Sequence, residues 1–294
     1  MAYEYHGFTM LLSCVQSHVT FADLQDNLRR TEVWLQKAAA QSVDLVVLPE
    51  CMLTGYGFCS REEALTQSIS ADDSAWDSLV AICHDSGQLH AVIGFLEREQ
   101  VGDRLHLYNA TAMIGPTGVI ATYRKVHLPQ LGVDRYVDRG NRPYAVHRAG
   151  EALVGLAICY DCSFPEPMRV LGLAGADIIA LSTNWPVAAA RTAEIVPAAR
   201  SMENHLYFVA ANRVGTERGF HYCGASTICG PDGIELARAD AENEQMLLAE
   251  VEIAQARNKR IERTPGAHVI DRFADRQPDF YARVVAPVDA RRTS

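Results

Sequence analysis

The sequence predicts an α/β fold, and three observations carry that prediction. Apolar runs of strand length alternate with stretches of helical periodicity through most of the chain. Several of those runs stop at a polar, reactive residue, as strands do at the carboxyl rim of an open sheet. One pattern also occurs twice. Ala110-Thr-Ala-Met-Ile-Gly-Pro-Thr-Gly-Val119 matches Ala225-Ser-Thr-Ile-Cys-Gly-Pro-Asp-Gly-Ile234, and similar strands precede them, Val43-Asp-Leu-Val-Val-Leu48 and Ala176-Asp-Ile-Ile-Ala-Leu181. Strand–GPxG–strand is a common hairpin, so the repeat reads either as coincidence or as a pseudo-twofold relation. In the second case two similar sheets pack face to face with helices outside them.

The elements follow in order. Asp23 is placed to cap a helix whose Leu24, Leu28, Thr31, Leu35 and Ala38 share one face. A strand over 44–48 ends in Pro49-Glu50. A helix after Ser74 buries Trp76, Leu79, Val80 and Cys83. Strands are expected at 91–97, 108–114 and 119–126, the last two joined by the turn Gly115-Pro-Thr-Gly118. More are expected at 152–159, 177–182, 206–211, 222–229 and 246–252. Pro167 suits the first turn of a helix ending near 172–175, and Pro197 begins or kinks a helix running to about Asn204. No low-complexity linker divides the chain, so residues 1–263 read as one domain. The Arg-, Asp- and Pro-rich tail, 264–294, is expected to drape over a neighbouring subunit.

Composition excludes several classes. With a formal net charge of −9 the chain lacks the basic face that nucleic acid requires, and no apolar run approaches the length of a membrane span. Glu4 and His6 open the chain where a signal peptide would carry a basic, then apolar, stretch. The eight cysteines then read as free thiols of a cytoplasmic protein.

Three strand-like runs end in groups that together form an acyl-transfer set: Leu45-Val-Val-Leu-Pro-Glu50, Ala121-Thr-Tyr-Arg-Lys125 and Val154-Gly-Leu-Ala-Ile-Cys159. An amide is a poor electrophile with a poor leaving group, so it needs a strong nucleophile. A thiol becomes one when a cation and a base shift it toward thiolate. Lys125 supplies the cation and an oxyanion donor. Glu50 takes the thiol proton, returns it to the departing amine, and activates water against the thioester. No metal or cofactor is needed. Taken singly, Cys159 reads as a core thiol, Glu50 as a solvated strand end and Lys125 as a surface charge beside Arg124.

The order of these segments resembles the nitrilase superfamily of carbon–nitrogen hydrolases. The matching stretches are Val47-Leu-Pro-Glu50, Tyr123-Arg-Lys-Val-His-Leu-Pro129, Ile158-Cys-Tyr-Asp161 with Phe164-Pro-Glu166 and Arg169, Arg200-Ser-Met-Glu-Asn204, and Ala210-Ala-Asn-Arg213. The resemblance implies an αββα four-layer sandwich, a Glu50–Lys125–Cys159 triad, and a homodimer or higher assembly built by pairing sandwiches. Many members carry a second glutamate after the lysine. Here the loop Gln130-Leu-Gly-Val-Asp-Arg-Tyr-Val-Asp138 has none, and Asp134 is the candidate substitute, with Asp138 behind it. Cys159-Tyr160-Asp161 resembles the amidase and carbamoylase branches, whereas nitrile-cleaving branches tend to show Cys-Trp-Glu. The expected substrate is therefore a small amide or N-carbamoyl compound, with a nitrile as the alternative.

Tyr160, through its backbone N–H, and Asn184 and Trp185, after the 177–182 strand, are candidate oxyanion and pocket residues. Trp185 reads equally as a core or interface residue. Glu166 and Arg169 are expected to brace the following helix. His127, two residues from Lys125, is the base of a rival Cys–His dyad. Cys159-Tyr-Asp-Cys162 is also a CxxC, the mark of a redox pair or half a zinc site, although Cys223 and Cys229 lack the paired spacing that would complete one.

Overall fold

The computed structural model describes residues 8–287. The chain forms two compact units, divided between Arg257 and Asn258. In the first unit the strands are β1 (Thr9–Gln16), β2 (Leu45–Val47), β3 (His90–Val101), β4 (Arg104–Gly115), β5 (Gly118–Arg124), β6 (Val146–Ala149), β7 (Ala152–Ile158), β8 (Ile178–Ser182), β9 (Tyr207–Ala211), β10 (Thr216–Glu217), β11 (Phe220–His221), β12 (Thr227–Cys229), β13 (Glu235–Arg238) and β14 (Gln245–Glu252). Its helices are α1 (Leu24–Ala40), α2 (Arg61–Leu65), α3 (Asp77–Ser86), α4 (Pro165–Leu173), α5 (Ala190–Asn204) and α6 (Ile253–Arg257).

Two six-stranded sheets result, ordered β14-β1-β2-β3-β4-β5 and β13-β12-β9-β8-β7-β6. They have one topology. Each holds three parallel neighbours, β1-β2-β3 or β7-β8-β9, an antiparallel hairpin beyond the third, and an antiparallel strand beside the first. The two GPxG segments occupy equivalent hairpins, β4–β5 and β12–β13, and β2 is the counterpart of β8. The repeat is therefore a pseudo-twofold relation and not a coincidence.

Side-chain alternation explains the layers. Val154, Leu156 and Ile158 of β7 and Ile178 and Ala180 of β8 meet Leu12, Leu45 and Val92 of the other sheet in one apolar layer. The intervening Ala157, Ile179 and Leu181 pack with Met168 of α4 and Ala193 of α5. On the opposite outer face Leu28 and Leu35 of α1 and Leu79 and Cys83 of α3 cover Val46, Ala91 and Ile93. The order is helix, sheet, sheet, helix, the αββα sandwich expected. Asp23 caps α1 by accepting from Asp26 N at 3.0 Å.

Some elements differ from the reading of the sequence. Strand β1 was not expected, because it is buried on both faces and Ser13 and Gln16 interrupt its apolar run. The strand expected over 222–229 is confined to β12, since Gly224 and Ala225 take positive φ of 58° and 56° and break it. Pro197 does not begin its helix but lies inside α5. The second unit holds a hairpin, β15 (Arg260–Thr264) with β16 (His268–Asp271), and a short helix α7 (Ala282–Val285). The expected boundary at 263/264 falls within β15. No helix among the described residues is long and apolar enough to cross a membrane.

Candidate active site

Each of the three reactive side chains stands where a strand has just ended, and each backbone is held there. Beyond β2 the chain turns over β3 at Gly94. A Cβ at that glycine would lie 2.4 Å from Pro49 O and 2.5 Å from Cys51 N, so only glycine lets the Glu50 backbone come this close. Glu50 N then donates across to Thr183 O of the second sheet at 3.4 Å. Lys125 follows β5 and donates its N–H to Asn109 O at 2.8 Å. Its neighbour Arg124 is buried and locked by Glu97 at 2.6 and 2.8 Å and by Glu99 at 2.8 Å. Arg124 is thus a structural cation, and alternation sends Lys125 the other way.

Cys159 follows β7 with φ at +41°, a left-handed conformation rare for a residue with a side chain. Asp161 secures that turn. Its buried carboxylate accepts from Ile158 N at 3.1 Å, Tyr123 Oη at 2.7 Å, His127 N at 3.1 Å and His127 Nδ1 at 2.7 Å. His127 also stacks on Phe164, with 4.0 Å between ring centroids. It is a brace of the turn, and nothing in its bonding makes it the base of a dyad.

The charged centre is fully buried. Lys125 Nζ donates to Glu50 Oε1 at 2.7 Å and to Asp134 Oδ2 at 2.6 Å. Asn109 Nδ2 donates to the same Glu50 Oε1 at 2.7 Å and to Asp134 Oδ1 at 2.8 Å. Tyr56 Oη adds a bond to Asp134 Oδ2 at 2.8 Å. Glu50 Oε2, also buried, has no partner. Asp138 lies apart, paired with Arg61 at 2.8 Å.

Burial raises the Glu50 carboxyl above its usual range. The Lys125 ammonium opposes that shift and the Asp134 charge adds to it. Burial alone would depress the Lys125 ammonium, but Asp134 and Glu50 outweigh it and hold the group well above an ordinary lysine. Cys159 is only half-buried as a residue, yet its thiol is enclosed. Burial and the Glu50 charge push it up to about 12, against the opposing pull of Lys125 and of the Thr183 side chain and Asn184 backbone beside it. The expectation that Lys125 shifts the thiol toward thiolate therefore does not describe the resting site. Desolvation wins, and Cys159 rests protonated.

The model of the family described as carbon-nitrogen hydrolase matches residues 11–261. The chain belongs to that family. Its relatives include a nitrilase of Pyrococcus abyssi, 35% identical over 92% of this chain and 98% of the relative. An omega-amidase YafV of Yersinia enterocolitica is 30% identical over 90% and 98%. A 2-oxoglutaramate amidase of Bacillus subtilis is 28% identical over 83% and 92%. Among solved structures, an amidase of the nitrilase superfamily from Nesterenkonia AN1 superposes with a TM-score of 0.78 at 22% identity, covering 97% of this chain and all of that one. At that identity the likeness carries the fold.

In this carbon-nitrogen hydrolase the remaining candidates separate. The Asn184 backbone lies against the thiol, and its buried side-chain amide has no partner at either end. The Trp185 ring packs in the apolar layer beneath α4 and α5, and the Tyr160 side chain is exposed, edge-on to Phe164. Arg169 Nη2 donates to Glu203 O at 2.8 Å, tying α4 to α5. Cys162 lies in that same apolar layer, where burial holds its thiol well above the ordinary range, so the CxxC pairs an enclosed thiol with a core thiol. Asn109 and Tyr56 were missed. The available signal was Asn109 itself, a polar side chain in the apolar run Leu107-Tyr-Asn-Ala-Thr-Ala112, which needs partners if the strand is buried.

Proposed function

We propose that this hydrolase cleaves a small amide or N-carbamoyl compound at Cys159 through a thioester, releasing ammonia. The observation that carries the reading is the Lys125 ammonium bonded to two buried carboxylates, which leaves Glu50 Oε2 unpartnered within electrostatic reach of the thiol. Glu50 Oε2 takes the thiol proton as sulfur attacks the carbonyl carbon. Lys125 and the Tyr160 backbone N–H hold the oxyanion. Collapse of the tetrahedral adduct breaks the C–N bond as Glu50 returns the proton to nitrogen. Water, deprotonated by Glu50, then adds to the thioester and regenerates the thiol. Asp134 is the fourth catalytic residue, an acid that holds Lys125 in place, and Asn184 lines the pocket.

The relatives named omega-amidase and 2-oxoglutaramate amidase support the amide reading. The nitrilase relative favours a second substrate class, a nitrile attacked by the same thiol. Exposed Val170 and Leu173 on α4 and Ile195 and Met202 on α5 support a homodimer built on that face. Eight unpaired cysteines support a reducing, cytoplasmic setting.

The test is ammonia release from short aliphatic amides, ω-amino amides, N-carbamoyl amino acids and nitriles, with Cys159→Ala as control and mass spectrometry for an acyl adduct on Cys159. Turnover of one class, lost in the variant, supports the reading. Undiminished turnover by Cys159→Ala, or after its selective alkylation, overturns it.

A further inference from the structure

Lys125 and Cys159 stand on different sheets. Lys125 follows β5 of the first and Cys159 follows β7 of the second, so their separation depends on how the sheets are tied together at this end. Asn109 of β4, which bonds Glu50 and Asp134, belongs to the same sheet as Lys125 and cannot supply that tie.

A tether from the second half of the chain supplies it. Beyond β9 the chain passes through Arg213 to β10, where Glu217 is buried. Glu217 Oε1 accepts from Tyr56 N at 2.8 Å and Gly57 N at 2.5 Å, and Oε2 accepts from Arg213 Nη2 at 2.8 Å. Arg213 is fixed in turn. Its Nη2 also donates to Val19 O at 2.9 Å, and its guanidinium lies 4.3 Å from the centre of the Tyr222 ring. Arg213 Nε and Nη1 and the Tyr222 hydroxyl have no partner, so Glu217 is the acid that balances this buried cation. An ion pair this deep is costly to break, which makes it a stiff anchor for the turn bonded to its other oxygen.

Tyr56 carries the anchor to the site. Its carbonyl accepts from Val133 N at 2.8 Å, and its hydroxyl lies 3.0 Å from Leu131 O and 2.8 Å from Asp134 Oδ2. A Cβ at Gly132 would overlap the Tyr56 ring, so ring and loop lie in direct contact. Backbone, ring and hydroxyl of one residue thus grip the loop 131–134. The Asp134 oxygen that meets the phenol is also the one that meets Lys125 Nζ, at 2.6 Å. Burial and the Asp134 and Glu50 charges hold the phenol well above its ordinary range, so it remains a donor.

We infer that Glu217 is a positioning residue of the reaction: paired with Arg213 it holds Tyr56, and through the Tyr56 hydroxyl and Asp134 it sets the Lys125 ammonium opposite Cys159. The inference rests on the proposed roles of Lys125 and Cys159. Negative charge develops on the substrate oxygen only on the way to the tetrahedral adduct, so a misplaced ammonium costs kcat and spares KM.

The test is a double-mutant cycle in the full chain, with Glu217→Gln, Tyr56→Phe and the two combined. Gln keeps an oxygen for the Tyr56 and Gly57 N–H groups but presents N–H groups to Arg213. Phe removes only the oxygen that meets Asp134. Each single variant is expected to lower kcat about 10-fold with KM within about 2-fold. Because both act through one hydroxyl, the double variant is expected to fall no more than about 2-fold below the poorer single. Losses that multiply, or that fall on KM, overturn the tether. Where Glu217→Gln does not fold, Glu217→Asp replaces it in the cycle, keeping the charge for Arg213 but standing one methylene short of the turn.

A second readout needs no turnover. The Lys125 charge draws the Cys159 thiol down, so a displaced ammonium is expected to slow alkylation at Cys159 by iodoacetamide about 3-fold at pH 9, followed by mass spectrometry. Faster alkylation in the variants is the mark of a site merely loosened, and it overturns the tether, as does an unchanged rate. A wild-type chain that hydrolyses no amide or nitrile, while both variants slow alkylation, retains the tether and overturns the proposed chemistry.

Discussion

Asn109 and Glu50 meet at 2.7 Å, through the side-chain nitrogen of one and Oε1 of the other, while the second hydrogen of the same amide serves Asp134. Cys51 Sγ lies 3.6 Å from Asn109 Oδ1 and fixes which end of the amide faces the acids. With Lys125 on the same oxygen, both donors load Oε1 and leave Oε2 for the proton.

Replacing Asn109 should therefore change proton traffic as well as stability. Its hydrogen bond helps lower the Glu50 carboxyl against the upward push of burial. Asn109→Ala should raise that carboxyl further, and the acid limb of kcat/KM should move to higher pH, with kcat down about 10- to 100-fold. Asn109→Asp places a third acid among two and should be worse. A fall in kcat with the acid limb unmoved would assign Asn109 a purely structural role.

Lys125 is the only cation bonded to Glu50 and Asp134 among the described residues. Lys125→Met should abolish ammonia release and destabilise the fold by about 3–5 kcal/mol, because it leaves buried carboxylates uncompensated. The sign of the pH dependence follows. In the variant the two acids repel, and protonating one relieves the repulsion, so the deficit in Tm should shrink as pH falls toward 5. A deficit constant between pH 5 and 8 would contradict this electrostatic account.

A thiol pushed up to about 12 by burial is not a standing thiolate. Alkylation of Cys159 by iodoacetamide should be slow at pH 7 and climb steadily above pH 9, without the neutral plateau of a low-pKa cysteine. Activity should behave differently. It needs Glu50 ionised, so kcat/KM should rise through the raised pKa of that carboxyl and hold level well into the alkaline range, since Lys125 keeps its proton there. Parallel alkylation and activity profiles would show that the thiolate forms before substrate arrives.

Much of this was legible in the sequence, for physical reasons that differ by residue. Glu50, Lys125 and Cys159 stand out because an apolar strand stops at each of them. Asp134 was found from the loop in which it replaces a longer acid. Asn109 was not found, because it sits mid-strand in β4 and no local pattern says that the other sheet-end acids converge on it. Arg213 was read only as part of a family motif and Tyr222 as part of a strand. What separates them from ordinary buried residues is that Arg213 Nε and Nη1 and Tyr222 Oη lack partners, and that exists only once the fold is assembled. The layers were legible for the opposite reason: the two GPxG hairpins are local, and their equivalence fixes one topology for both sheets.

The most stringent prediction concerns a residue that touches no substrate in the proposed reaction. Gly94 lies in β3 under the turn that carries Glu50, where a Cβ would meet Pro49 O at 2.4 Å, Cys51 N at 2.5 Å and Glu50 Cα at 2.7 Å. All three are backbone atoms, so no side chain can swing aside, and the turn itself must lift away from the sheet. Glu50 Oε1 holds its bonds to Lys125 and Asn109 within 2.7 Å, leaving little room for displacement. A shift of about 1 Å at a reacting group costs on the order of 100-fold in rate. Gly94→Ala should therefore lower kcat by about that factor while Cys159 remains open to alkylation, because β7 and the Asp161 brace lie elsewhere. Full activity in Gly94→Ala would mean that the turn has slack the bonded geometry denies. Loss of both activity and alkylation would mean that the sheet, and not the turn, gives way.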